Sequence, residues 1–153
     1  MKKLIIALVI TTVGLFASAA SATAAEFGTA DEAKAMLEKA VAAVKADKAK
    51  AIEMFKKGEG GFKDRDLYPF CFNIADGKVV ATLAATLIGM DVRTLKDKAG
   101  KAFGEEIFKA AQDGKINEVS YMFPRPGADT TPVQKISFVT KAGDLGCGVG
   151  YYK

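Results

Sequence analysis

Hydrophobic and polar residues alternate along the last third of the chain, which is the period of a half-buried β-strand. The alternating runs cover residues 116–123, 133–141 and 147–152. On the first run, the side chains on one side are Val119, Tyr121 and Phe123. A Pro-Arg-Pro-Gly segment, 124–127, follows that run and favours a turn, because proline donates no ladder hydrogen bond. The pattern predicts a three-stranded antiparallel meander.

A different period, of three and four residues, follows Thr29 and predicts an amphipathic helix. Thr29 and Glu32 have the spacing of a capping box, which marks the start of the helix. Its apolar stripe consists of Ala33, Met36, Leu37, Ala40, Val41 and Val44. The period shifts near Asp47 and ends at Gly58, so we expect either a bend or two consecutive helices.

The middle of the chain combines a hairpin, an irregular segment and a short helix. Residues 67–74 alternate, and Asp76-Gly77 predicts a tight turn into a returning strand at 78–81. Residues 82–100 have only a weak pattern, which indicates a structured surface loop, and 101–112 predict a short helix. Helices separated from about five antiparallel strands make this an α+β fold.

The first residues have the features of a secretory signal peptide. Lys2 and Lys3 precede an apolar run at 4–16, and Ala22-Thr23-Ala24 is an Ala-x-Ala cleavage site. The apolar run is shorter than the roughly 20 residues of a membrane-spanning helix, so cleavage is favoured over an anchor. We expect residues 1–24 to be removed and residues 25–153 to form one periplasmic or secreted domain.

Composition argues against several classes of function. The chain contains no histidine, which removes the usual general base and zinc ligand, so we expect neither an enzyme nor a metal site or cofactor. The formal net charge of +4 falls to +2 without the two signal lysines, and no basic block remains to bind nucleic acid. The carboxylate pairs at 64–66 and 105–106 are interpreted as solvated surface residues.

Two features of the strands leave alternatives open. Cys71 and Cys147 form either a disulfide, which export to an oxidising compartment favours, or two buried thiols. A catalytic redox pair is less favoured, because Cys-x-x-Cys is absent. Gly146, Gly148 and Gly150 alternate on one face of the last strand, where they allow either the close approach of a helix or a cavity.

Aromatic residues are more numerous than one core face of a small sheet needs, and cations lie beside them. The aromatic residues are Tyr68, Phe70, Phe72, Tyr121, Phe123 and Phe138, and the cations are Arg65, Arg125 and Lys135. An apolar pocket with a directed cation is the usual form of a site for a small carboxylate. The alternative is that they are core aromatics and solvated cations.

The chain resembles the type 2 single Cache domain over essentially all of its predicted mature part. Three motifs in the first half of the domain carry the resemblance, and they begin at Asp66, Asp76 and Leu87. Three more lie in the second half: Tyr121-Met-Phe-Pro-Arg-Pro-Gly, Pro132-Val-Gln-Lys-Ile-Ser-Phe-Val and Gly146-Cys-Gly-Val-Gly-Tyr-Tyr. Two positions depart from the family pattern. The segment at Thr82 stands where related sequences commonly have histidine, and Phe123 replaces a tryptophan.

The resemblance implies a PAS/profilin-like sheet with strand order 2-1-5-4-3, a long N-terminal helix behind it and a pocket for small ligands. That order makes the strands of Cys71 and Cys147 neighbours, which supports the disulfide. Tyr121, Phe123 and Lys135 match the pocket-side motif of the family. Arg65, Tyr68, Phe70 and Thr82 are added from their placement as further ligand-binding residues.

The sequence therefore predicts a free-standing sensor that binds a small organic anion and acts in signal transduction or chemotaxis. Its expected partner is a separate membrane receptor or histidine kinase, and a homodimer through the N-terminal helix is a further expectation. The first alternative is a structural or interaction module that binds no ligand. The second is a small periplasmic redox protein.

Overall fold

The computed structural model describes residues 26–127 and 129–153, so the predicted signal peptide at 1–24 lies outside the described residues. Its helices are α1 (Ala30–Ala46), α2 (Lys48–Lys57) and α3 (Phe103–Ala110). Its strands are β1 (Pro69–Asn73), β2 (Val79–Ala81), β3 (Asn117–Pro124), β4 (Pro132–Ala142) and β5 (Leu145–Tyr152). The predicted α+β class is confirmed. In the described ranges, no helix is both long enough and apolar enough to cross a lipid bilayer.

The five strands form a single antiparallel sheet in the order β2-β1-β5-β4-β3. This is the order that the resemblance implied. The last strand of the chain, β5, lies in the centre of the sheet between β1 and β4. Completing the sheet therefore requires β5 to pair with β1, which lies about half the chain length earlier in the sequence.

A disulfide joins β1 and β5, as predicted. Cys71 lies directly opposite Cys147 in the register of the two strands, and their sulfur atoms are bonded. Both residues are fully buried on the face of the sheet that α1 covers. The bond thus cross-links the sheet at its centre, inside the larger hydrophobic core.

The helix layer covers one face of the sheet through the predicted apolar stripe. Thr29 and Glu32 form the capping box at the start of α1, while Asp47 ends α1 and caps α2 through Lys50, so the two-helix alternative is correct. The buried residues of α1 are Ala33, Met36, Leu37, Ala40 and Val44. Because this stripe packs within the chain itself, a homodimer through α1 has to use the polar faces of the helix.

The opposite face of the sheet is covered by α3 and by residues 82–100, which the sequence pattern indicates as a surface loop. The structure corrects that expectation. The segment forms two 3-10 turns, Ala85–Leu87 and Val92–Thr94, and Val92 is 1% exposed in the hydrophobic core between the sheet and α3. At the predicted hairpin turn, Gly77 has φ +74°, and a Cβ there would lie 2.5 Å from Oδ1 of Asp91. Glycine is therefore required where this segment meets the sheet.

We expect the disulfide to contribute substantially to stability. A cross-link between residues 76 positions apart lowers the entropy of the unfolded chain by an amount equivalent to about 4 kcal/mol. Urea unfolding of the Cys71→Ala/Cys147→Ala variant should show a loss of that order in the free energy of unfolding. The unsubstituted protein in reductant is the matched control and should lose a similar amount. Equal stability with and without reductant would contradict this expectation.

Candidate functional site

Three glycines in the central strand lie under the floor of the candidate site. A Cβ on Gly146, Gly148 or Gly150 would lie only 2.3 Å from Phe72, 2.4 Å from Phe70 and 2.4 Å from Lys135, respectively. These three side chains come from the strands on either side of β5 and lie flat across it. Neighbouring side chains, rather than an approaching helix, account for most of the alternating glycines, although Ala111 after α3 also lies over Gly146.

The inner pocket lies above this floor, between the sheet, α3 and the segment 82–95. Its lining residues are Tyr68, Phe70, Val79, Thr82, Leu87, Val92, Leu95, Phe103, Ile107, Tyr121, Phe123 and Lys135. Its volume is about 40 Å³, which is room for roughly one to three water molecules. The walls are almost entirely apolar, so any charged group among them dominates the electrostatics of the pocket.

Lys135 is that charged group. It lies on the pocket face of β4 and is only 4% exposed, and none of the ion pairs among the described residues involves it. Its Nζ lies 4.8 Å, 5.3 Å and 4.7 Å from the ring centroids of Tyr68, Phe123 and Tyr152. Burial lowers the pKa of Lys135 to about 8, and the negative charge of Asp66 partly opposes this shift. The three rings also favour the charged ammonium.

Tyr121 supplies a hydroxyl group to the same region of the sheet. Its ring stacks on Phe103 with centroids 4.2 Å apart, and its hydroxyl shares a hydrogen bond of 2.8 Å with that of Ser137. Burial raises the pKa of Tyr121 well above its usual value, so the hydroxyl remains protonated at neutral pH. The stacked pair also narrows the pocket, because two aromatic rings occupy space that a ligand would otherwise fill.

A second depression, the outer cleft, adjoins the inner pocket. Its volume is about 440 Å³, and it is lined by Lys63, Arg65, Tyr68, Leu83, Ala84, Phe123, Pro124, Arg125, Pro126 and Gly127. Tyr68 and Phe123 line both spaces, so these two rings form the boundary between them. The residues that line the cleft include three cations and no carboxylate; because Arg65 is paired with Glu32 and Asp64, Lys63 and Arg125 supply most of the positive potential beside the inner pocket.

Arg65, predicted as a ligand-binding residue, lies in the wall of the outer cleft rather than in the inner pocket. Its guanidinium forms ion pairs of 2.7 Å with Glu32 and with Asp64, and it donates to the carbonyl of Phe27 at 3.0 Å. Its backbone has φ +54°, in the left-handed region that non-glycine residues seldom adopt. These contacts attach the segment before α1 to the loop that leads into β1.

Asp66 lies beside this charged group and is only 5% exposed. Its Oδ1 accepts a hydrogen bond of 2.7 Å from the backbone N–H of Gly28, whereas its Oδ2 is buried without a hydrogen-bond partner among the described residues. Its charge attracts Lys135 without forming an ion pair. Asp66 therefore compensates part of the buried charge and leaves the ammonium group without a direct carboxylate contact.

The structure brings together six of the seven residues predicted to bind a ligand: Tyr68, Phe70, Thr82, Tyr121, Phe123 and Lys135 all line the inner pocket. Their role in binding stays a prediction.

Sequence reasoning missed Tyr152, Ser137 and Phe103, which contact Lys135 or Tyr121. Register could have indicated Ser137, two residues from Lys135 on the same face, and Tyr152, its partner on β5. In the described part of the chain, no group of three His, Cys, Asp or Glu residues is placed to hold a metal ion.

Comparison with known proteins identifies a family for this arrangement. A family model for the Cache domain matches residues 29–152, which is nearly the whole described chain. No curated protein gives a significant match to the sequence. The predicted resemblance to a Cache domain is therefore confirmed at the level of the family.

Solved structures share the fold at low sequence identity. A methyl-accepting chemotaxis protein from Vibrio parahaemolyticus is 22% identical, with 80% of this chain and 86% of that chain covered and a TM-score of 0.62. The periplasmic sensor domain of a chemotaxis protein is 24% identical, with 80% and 88% covered and a TM-score of 0.60. A Cache chemosensory domain studied for carboxylic acid recognition is 21% identical, with 80% and 91% covered and a TM-score of 0.61. At these identities the likeness concerns the fold alone.

We expect stability to depend on pH through Lys135. With a pKa of about 8 in the folded protein and about 10.4 when unfolded, the unfolded state binds more protons in between, so stability rises with pH. The gain should be about 2 kcal/mol between pH 7 and pH 9.5. Above pH 10 the buried tyrosines act in the opposite direction, because burial raises the pKa of Tyr121 and Tyr152.

Urea unfolding at several pH values, with Lys135→Met as the comparison, measures this effect. The difference in the free energy of unfolding between the unsubstituted protein and Lys135→Met should change by about 2 kcal/mol between pH 7 and pH 9.5. Lys141→Met, on the same strand about 20 Å away, should show no such change. A difference that is independent of pH would mean that Lys135 does not titrate as a buried amine.

Proposed function

Because this chain belongs to the Cache domain family, we propose that it is an extracytoplasmic sensor domain that binds a small carboxylate in the inner pocket. Lys135 pairs with the carboxylate, Tyr121 donates a hydrogen bond to it, and the surrounding rings exclude water. Thr82 supplies a further hydroxyl at the pocket wall. No catalytic role is proposed for any residue.

The observation that carries this proposal is the buried ammonium group of Lys135. It lies at 4% exposure in an apolar pocket, with no carboxylate of the chain in ion-pair contact among the described residues. Removing a charge from water is unfavourable unless the charge is paired and hydrogen-bonded. An anion that enters the pocket provides this pairing, and the low dielectric of the apolar walls strengthens the attraction.

The size of the pocket restricts the class of ligand. A volume of about 40 Å³ matches a group of only a few heavy atoms, so we propose that a single carboxylate group with a short chain is what the inner pocket accepts. Longer acids require Phe123 to move, since its partly exposed ring borders the outer cleft.

Location and partners form part of the same proposal. We place the domain outside the cytoplasm, on the basis of the predicted signal peptide, the disulfide and the family. The disulfide supports an oxidising compartment. We also propose that the sensor acts through a separate membrane receptor or histidine kinase, either as a monomer or as a homodimer that uses the polar faces of α1.

The small volume of the pocket also favours a second candidate function. The stacked rings of Phe103 and Tyr121 belong to a lining that leaves only about 40 Å³, as they would in a module that binds no small molecule. Such a module would contribute a stable surface for another protein. The two candidates differ in whether carboxylates stabilise the folded protein.

A thermal-shift screen of formate, acetate, propionate, lactate and pyruvate tests the proposal. A ligand that binds only the native state at a hundred times its Kd stabilises it by about 2.7 kcal/mol. For a domain of this size, that corresponds to an increase in Tm of roughly 10 °C. We expect at least one acid to produce such an increase and Lys135→Met to abolish it, because the charge that pairs with the acid is lost.

Lys141→Met is the matched control, since it removes the same charge from the same strand and should leave the ligand-induced shift unchanged. Circular dichroism without ligand establishes that both variants are folded. Should no acid alter the melting temperature of the unsubstituted protein, the non-binding module would be the better description. A shift that persists in Lys135→Met would reject Lys135 as the anion partner.

A further inference from the structure

We propose that the ligand is a dianion whose second acidic group binds Arg125 in the outer cleft, while its first group binds Lys135 in the inner pocket. This inference rests on the proposed function and extends it to the outer cleft. The two acidic groups of such a ligand are separated by at most three methylene groups. Its chain passes between Tyr68 and Phe123, the two rings that border both spaces.

Arg125 is a cation that two aromatic rings hold in place, and no ion pair between described residues involves it. Its guanidinium lies over Phe27 at 4.1 Å and over Tyr152 at 5.1 Å from the ring centroids. Its Nε is buried and has no hydrogen-bond partner among the described residues. Stacking between rings restricts the side chain in advance, so little conformational entropy is lost when an anion binds it.

The other cations of the cleft are less suited to this role. Arg65 already pairs with Glu32 and Asp64, which neutralise most of its charge. Lys63 is exposed, and no ion pair found in the described ranges includes it. Its flexible, hydrated ammonium contributes to the potential of the cleft rather than to a fixed contact.

The ring of Tyr152, which Lys135 and Arg125 both contact, sets an upper limit on the distance between their cationic groups. Nζ of Lys135 lies 4.7 Å, and Cζ of Arg125 lies 5.1 Å, from the centroid of Tyr152. The two groups are therefore no more than about 10 Å apart, the sum of these distances. Charge-assisted contacts of about 2.8 Å at each end leave at most roughly 4 Å between the acidic oxygens. A dicarboxylate with up to three methylene groups can place its acidic oxygens within this limit, whereas acetate carries a single acidic group and reaches only one cation.

Isothermal titration calorimetry with two matched series of acids tests the inference. The dicarboxylates are malonate, succinate, glutarate and adipate, and the monocarboxylates are propionate, butyrate, valerate and hexanoate, which have the same chain lengths. We expect at least one of malonate, succinate and glutarate to bind about 10 to 100 times more tightly than its monocarboxylate, as one added charge-assisted hydrogen bond predicts. Adipate should gain less, because its longer chain exceeds the distance that the two cations allow.

Arg125→Gln should remove this advantage and leave the affinity for monocarboxylates within about twofold, since glutamine lacks the charge. Lys34→Gln, which removes one exposed charge from α1, is the matched control and should behave like the unsubstituted protein. The comparison of chain lengths uses the unsubstituted protein alone, so it remains decisive even where Arg125→Gln fails to fold.

Equal affinities for the two series would overturn the second site and leave the proposed function intact, because monocarboxylates would still bind. An advantage that survives in Arg125→Gln would likewise overturn the assignment of Arg125. Absence of binding by every acid would reject both the proposed function and this inference. A dicarboxylate advantage that depends on chain length and on Arg125 supports it.

Discussion

A buried ammonium group is the constraint on which the candidate site depends. Lys135 is held in an apolar pocket, where three aromatic rings and the more distant Asp66 offset only part of the free energy that desolvation costs. Its position is determined by the strand register, which sets Lys135 opposite Tyr152 and beside the bare backbone of Gly150. The aromatic surroundings thus stabilise the charge without neutralising it, and the pocket retains a positive potential that an anion can use.

The central strand makes this arrangement possible on both of its faces. On the pocket face, its three glycines allow Phe70, Phe72 and Lys135 to lie across the sheet. On the helix face, Leu145, Cys147 and Val149 pack into the larger core, and the disulfide links β5 to β1. The packed core on one face and the space for these three side chains on the other are therefore properties of one strand. This combination holds a cation in a fixed place, as a selective binding site requires.

The parts of the fold that repeat with a regular period could be predicted from the sequence. Alternation in the strands and the stripe of α1 identified the elements, and the strand order came from the resemblance, since residue patterns alone do not determine which strands are neighbours. Tyr121, Phe123 and Lys135 followed from motif and register. The segment 82–95 has no such period, so its contribution of Leu87, Val92 and Leu95 to the pocket was not predicted. Arg65 was assigned to the ligand from its placement beside a strand, since its ion pair with Glu32 in α1 is a tertiary contact that residue patterns do not reveal.

The narrowness of the inner pocket does not by itself distinguish a sensor from a packed interaction module, but the chemistry of its wall does. A core that serves only packing gains nothing from an ammonium group, because an apolar side chain of similar volume would be at least as stable in that place. Arg125 is stacked between two rings, and its buried Nε has no hydrogen-bond partner in the described part of the chain, so it presents the same excess of positive charge about 10 Å or less away. Holding Lys135 and Arg125 on either side of one aromatic boundary costs free energy on folding. An anion that contacts both cations offsets this cost. The distribution of charge, rather than the volume, is therefore the stronger argument that this Cache domain binds a ligand.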